Sequence, residues 1–157
     1  MTKPSKILLV EDDPNDVELS LSALARNDLS SEVTVVRDGQ EALDYLFRKG
    51  CYASRERDDP SVVLLDLKLP KVSGMEVLEH IKSDPSLKTV PVVVLTSSRE
   101  ERDLVDCYNL GTNAYVVKPV DFGEFNEAVN QVGLFWGVLN QVPPQNFGYS
   151  RDPRGLT

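Results

Sequence analysis

Three acids stand in a row directly after a short apolar run, Glu11-Asp12-Asp13, and a further acid, Asp66, ends another such run, Val62–Leu65. Two more apolar runs end in side chains of other kinds, Thr96-Ser97 after Val92–Leu95 and Lys118-Pro119 after Tyr115–Val117. If these runs are strands of one sheet, several carboxylates, a hydroxyl and an amine meet at one edge of it. Carboxylates crowded together repel, and one takes up a proton unless a cation intervenes. An all-oxygen anionic cleft suits Mg²⁺, which keeps several waters and takes one or two carboxylates together with phosphate oxygens. Such an ion neutralises charge on an incoming phosphoryl group and leaves one carboxylate free to attack phosphorus. The lysine and the hydroxyl can hold the remaining oxygens. The residue types point to phosphoryl acceptance.

That chemistry needs a scaffold to gather the four runs. Near-continuous Val/Ile/Leu stretches suit parallel strands covered on both faces, and Val33–Val36 adds a weaker fifth strand nearer an edge. Segments of helical period lie between them, each with a start signal. Asp13 before Pro14 opens the first, with Val17, Leu21 and Leu24 on one face. Asp38 with Glu41 opens the second, which buries Ala42, Leu43, Leu46 and Phe47. Ser73 with Glu76 forms a capping box ahead of Val77, Leu78 and Ile81, and Ser98 with Glu101 repeats it ahead of Leu104, Val105 and Tyr108. Asp121 and Glu124 open the last segment, which carries Phe125, Val129, Val132, Trp136 and Leu139 along one side. Five β-α units in succession require an α/β fold, a parallel sheet with right-handed crossovers and helices on both faces. Ligands in such sheets bind beyond the carboxyl ends of the strands, where the acids, Thr96 and Lys118 fall. The polar stretch Lys49–Pro60 reads as a long surface loop.

Composition narrows the classes further. The chain has 157 residues, 41% hydrophobic and 27% charged, as expected of one globular domain in solution. A net charge of −8 argues against a general nucleic-acid binder, which needs a basic face. Cys51 and Cys107 are too few for a disulfide framework and lack metal-type spacing, so they read as inert reduced thiols. No run approaches a membrane span or a signal-peptide core, which predicts a cytoplasmic protein with no membrane partner. A flavin-binding or metabolic enzyme of this topology would need a glycine-rich first loop, and Glu-Asp-Asp stands there instead. His80 falls on a helix away from the acids and is given no role in the chemistry.

Several separated motifs, in order and in register, resemble the CheY-like receiver domains of two-component response regulators. They are Val10-Glu11-Asp12-Asp13, Leu64-Leu65-Asp66-Leu67-Lys68-Leu69-Pro70 with Gly74 following, Leu95-Thr96-Ser97, and Tyr115-Val116-Val117-Lys118-Pro119. The resemblance implies a (βα)5 doubly wound, flavodoxin-like sheet of strand order 2-1-3-4-5, with a sensor histidine kinase as phosphoryl donor. It implies that Asp66 is the phosphorylation site and that Mg²⁺ is held by Asp12, Asp66, the backbone carbonyl of Lys68 and, through water, Glu11. Thr96 and Lys118 would hold phosphoryl oxygens, and Thr96 and Tyr115 would relay the switch. Lys68 and Ser98 fall at positions that tune phosphoryl lifetime in the family, which predicts a long-lived phospho-form. The resemblance also implies a cis Lys118–Pro119 bond. The competing reading is a phosphorylation-independent interaction module of the same fold, although such modules typically lack an acid or the lysine.

Residues 1–140 read as the receiver domain and 141–157 as a C-terminal arm, because Pro143-Pro144 end the last helix. Too few residues follow Asn140 for a DNA-binding domain, so output by protein–protein contact is expected. The long loop before the third strand, Phe135-Trp136-Gly137-Val138-Leu139-Asn140 and the proline-bearing tail resemble the small response regulators that partner bacterial and cyanobacterial phytochromes. Aromatic side chains left bare at a helix end mark an interface. A homodimer through the fourth and fifth helices, the fifth strand and the arm is therefore expected, against the simpler possibility that Phe135 and Trp136 cap the monomer core.

Overall fold

The computed structural model describes residues 6–26 and 32–143. Five strands, β1 (Ile7–Val10), β2 (Val33–Val36), β3 (Val62–Leu65), β4 (Val92–Thr96) and β5 (Ala114–Val117), alternate with five helices. The helices are α1 (Pro14–Ala25), α2 (Gly39–Phe47), α3 (Gly74–Ser83), α4 (Glu101–Leu110) and α5 (Phe122–Leu134). All strand pairs are parallel and the order is β2-β1-β3-β4-β5. From β1 the chain winds outward to β2, then returns to β3 and winds the opposite way. The order therefore reverses between β1 and β3, and a crevice opens at their carboxyl ends.

The sheet is apolar on both faces because each strand alternates its side chains between two layers. Leu8, Val10, Val63, Leu65, Val92 and Val94 face Ala42, Leu46, Val77, Leu78 and Ile81, with Cys107 of α4 in the same cluster. Ile7, Leu9, Val62, Leu64, Val93 and Leu95 face Val17, Leu24, Phe125 and Val129 of α1 and α5. Burying a side chain of this size contributes roughly 1.5–3 kcal/mol relative to leaving it exposed, so the two layers fix the register of the strand ends.

Four of the five expected helix starts form as read. The side chain of Asp13 accepts from Asn15 N and Asp16 N, Asp38 from Glu41 N, Ser73 from Glu76 N, and Asp121 from Glu124 N. The box at Ser98 and Glu101 does not form. Helix α4 starts at Glu101 after Glu100, with no side-chain cap. Ser98 Oγ instead accepts from Glu100 N at 3.3 Å and donates to Asp103 at 2.6 Å, which keeps the hydroxyl occupied before the helix begins. The stripe Leu104, Val105 and Tyr108 faces solvent, while Cys107 faces the core. Apolar spacing of three and four residues has the same signature whichever way the face turns.

The stretch Lys49–Pro60 is pinned rather than loose. A short 3-10 turn spans Gly50–Tyr52, and Tyr52 meets Tyr45 edge to face at 5.2 Å. The Arg55 guanidinium lies over the Tyr45 ring and donates to the Tyr45 carbonyl. Beyond α5 the chain continues through one π-turn, Phe135–Leu139. Trp136 packs against the α1/α5 layer, as the core-capping alternative has it, whereas Phe135 is half exposed. Most of the expected C-terminal arm, residues 144–157, lies outside the described residues. Lys118–Pro119 is trans, contrary to the expected cis bond. An X–Pro bond favours trans by only about 0.5–1 kcal/mol, so local contacts decide the isomer, and here Lys118 reaches its carboxylates from the trans form. No helix among the described residues is long and apolar enough to cross a membrane.

Candidate functional site

Backbone pairing beyond the strand ends fixes the site residues before their side chains are considered. Glu11 N donates to Val36 O at 3.0 Å, Asp66 N to Val10 O at 3.1 Å, and Lys118 N to Thr96 O at 2.7 Å. The loop after β3 folds back with Gly74 N bonded to Leu67 O at 2.9 Å. A Cβ at Gly74 would stand 2.0 Å from the Asp66 carbonyl oxygen, so only glycine lets α3 begin this close to Asp66.

The Lys118 ammonium gathers the carboxylates. Its Nζ donates to Glu11 Oε1 at 2.5 Å, Asp16 Oδ2 at 2.8 Å and Asp66 Oδ2 at 3.2 Å. Burial alone would push its pKa down, but hydrogen bonds to Asp16 and Glu11 and the charge of Asp66 raise it above the ordinary lysine value. Lys118 is therefore a fixed positive charge. Glu11 is 3% exposed. Burial drives its pKa up to about 7 against the opposing pull of Lys118, and the nearby Asp66 adds to the rise.

The same acids could hold a cation. Oxygens of Glu11, Asp12 and Asp66 lie within 4.8 Å of one another, with Asp12 exposed and the other two buried. Glu11, Asp16 and Asp66 share one lysine, and Asp12 stands beside Glu11 and Asp66, so the charge falls well short of balance if all four ionise. A hard divalent ion would offset that excess and fits the all-oxygen donor set. Lys68 follows two residues after Asp66 and is exposed.

Thr96 is fully buried at the end of β4, where its Oγ1 accepts from Ser98 N at 3.3 Å. Tyr115 is half-buried against the α2–α4 layer, and its hydroxyl donates to the Ser98 carbonyl at 3.2 Å. Ser98 thus touches both Thr96 and Tyr115. His80 is exposed on α3, as expected for a residue outside the chemistry.

Asp16 was not among the residues singled out by sequence. It reads as an ordinary acid in the first turn of a helix, where negative charge is favoured by the helix dipole. The available signal was its phase, because Ser20 and Ala23, four and seven residues on, are both buried.

Comparison with known proteins agrees with this geometry. The response regulator receiver domain family matches residues 7–130. Response regulator Rcp1 of Synechocystis sp. is 40% identical over 133 residues, covering 85% of this chain and 89% of Rcp1. The crystal structure of its Mn²⁺-bound form superposes with a TM-score of 0.83 at 38% identity, over 90% of this chain and 100% of that one. The phosphorylated cyanobacterial phytochrome response regulator RcpA gives a TM-score of 0.84 at 43% identity, over 90% of this chain and 100% of that one. The bacteriophytochrome response regulator RtBRR is 57% identical with a TM-score of 0.72, over 91% of this chain and 86% of that one.

Proposed function

The chain belongs to the response regulator receiver family, and from that membership we propose that Asp66 accepts a phosphoryl group from a sensor histidine kinase. The carrying observation is the meeting of Asp66 with the Lys118 ammonium at 3.2 Å inside a ring of acids at the sheet's switch point. A carboxylate oxygen of Asp66 attacks phosphorus, and the phosphoryl–nitrogen bond of the kinase histidine breaks. Lys118 offsets charge on the transferred oxygens, and the Thr96 hydroxyl donates to one of them. A bound Mg²⁺ would supply further charge neutralisation, held by Asp12, Asp66, the Lys68 carbonyl and, through water, Glu11. The part played by the protein is that of a signalling acceptor rather than a turnover enzyme.

The added group brings nearly two negative charges and strong acceptors to the strand ends. Thr96 gains by moving toward it. Ser98 bonds both Thr96 and Tyr115, so that movement reaches the Tyr115 hydroxyl and the α4–β5 surface. Binding of a partner that favours this state drives the same equilibrium. The acids and the lysine are all present, and Glu11 and Asp66 both pair with Lys118, which disfavours the phosphorylation-independent reading.

Likeness to RcpA, Rcp1 and RtBRR supports a phytochrome-type sensor kinase as donor. A homodimer through α4, α5, β5 and the arm is proposed as well, and the exposed apolar side chains on α4 (Leu104, Val105, Tyr108) and beyond α5 (Phe135, Val138, Leu139) support the part of it that involves the helices. A light-scattering mass of one chain at micromolar concentration contradicts the dimer. The kinase reading is tested by mixing the protein with a labelled, autophosphorylated phytochrome kinase. Label passes to the wild type and not to Asp66→Asn. Retention of all label on the kinase contradicts that donor.

A further inference from the structure

We propose that Asp16 is a positioning residue that holds the Lys118 ammonium in reserve and must release it when Asp66 is phosphorylated; the inference rests on the reading of Asp66 above. An ammonium has three N–H donors, and in this structure Glu11, Asp16 and Asp66 take all three. The contact to Asp16, 2.8 Å, is shorter than that to Asp66, 3.2 Å, so the amine leans toward α1 and away from the acceptor. On phosphorylation the donor held by Asp66 can pass to a phosphoryl oxygen, but the amine must advance from 3.2 Å to follow it, and Glu11 or Asp16 must then yield.

Burial decides which. The Glu11 side chain is 4% exposed, and stripping its counter-charge would leave a carboxylate in a dry site. The Asp16 side chain is 26% exposed and lines an open groove with Leu19 and Phe122, where water can replace the ammonium. Asp16 is therefore the partner whose release carries the smallest penalty. It stabilises the resting state relative to the transition state of phosphoryl transfer, and it has no contact with the transferred group. It slows phosphorylation without entering the reaction. Once the amine has moved, Asp16 no longer bears on the phospho-form, so loss of the phosphoryl group to water is unaffected.

The test is the rate of phosphorylation by phosphoramidate with Mg²⁺, followed by intact mass, for wild type, Asp16→Asn and Asp13→Asn. Asp13 is the α1 cap, and asparagine caps as well as aspartate, so Asp13→Asn removes a nearby charge without touching Lys118. Asp16→Asn is expected to react about two- to fivefold faster, the effect of losing one part-exposed ion pair. Its dephosphorylation rate stays that of wild type, and Asp13→Asn reacts at the wild-type rate. An Asp16→Asn rate equal to or below wild type overturns the proposal. Equal acceleration by Asp13→Asn also overturns it, because the effect would then be repulsion of the donor by net charge. Failure of the reading of Asp66 is distinguishable, since wild type itself would take up no phosphoryl group.

Discussion

Glu11 and Lys118 meet at 2.5 Å at the closed end of the site, where their side chains are only 4% and 10% exposed. A pair this dry contributes little when intact, because both charges have lost their hydration, but removing one partner leaves an unmatched buried charge. Lys118→Met is therefore expected to lower stability by about 3–5 kcal/mol in metal-free urea unfolding. The opposite sign is expected for Asp66→Asn, which removes one of the mutually repelling acids and keeps the shape of the carboxylate. It should gain about 0.5–2 kcal/mol, the usual range for relieving a functional site. A Lys118→Met protein as stable as wild type would contradict the electrostatic account.

Gly74 sets the distance between α3 and the acceptor. A methyl group there would overlap the Asp66 carbonyl oxygen and Leu67 Cα, which stand 2.0 Å and 2.6 Å from its ideal position. Both are backbone atoms and cannot turn aside as a side chain can. Gly74→Ala is expected to lose about 3 kcal/mol, the upper end for overpacking, and to slow phosphorylation, because the loop carrying Asp66 must shift. Urea unfolding alongside phosphorylation rate checks both. An unchanged midpoint would mean that the loop after β3 is held less tightly than the contacts imply.

The two thiols should differ sharply in reactivity. Cys107 is fully buried beside Met75, and burial raises its pKa to about 11, with the charges of Asp103 and Asp106 adding to the rise. The reactive form is the thiolate, so at pH 8 a pKa of about 11 leaves Cys107 almost wholly protonated, and only above that value does it ionise. Cys51 is exposed. Iodoacetamide at pH 8 is expected to add one carbamidomethyl group to the native protein and two after unfolding. Native addition at Cys107 would show that α4 opens readily.

The sheet was legible because the Val/Ile/Leu runs are nearly unbroken, short and rich in β-branched residues, and each is followed by a segment of helical period, the succession that a doubly covered parallel sheet requires. The caps at Asp13, Asp38, Ser73 and Asp121 were legible because a short side-chain acceptor before a helical segment satisfies a free N–H. Ser98 has the same signature, yet its hydroxyl is committed to Asp103, a contact between loop and helix that local sequence does not encode. Glu11, Asp66, Thr96 and Lys118 could be gathered in advance because each ends a strand, and strand order alone brings strand ends together. Asp16 could not be found that way, since it comes from a helix and reaches the site only through the packing of α1. Periodicity likewise identified the α4 stripe but not the direction it faces.

The proposed phosphoryl acceptor is Asp66, in a site that a divalent ion would complete. Intact-mass spectrometry after incubation with acetyl phosphate tests it most directly, with and without Mg²⁺, in wild type and Asp66→Asn. Wild type is expected to gain one phosphoryl group, only with Mg²⁺, and the variant none. Equal gain by Asp66→Asn, or no gain by either protein, would contradict it.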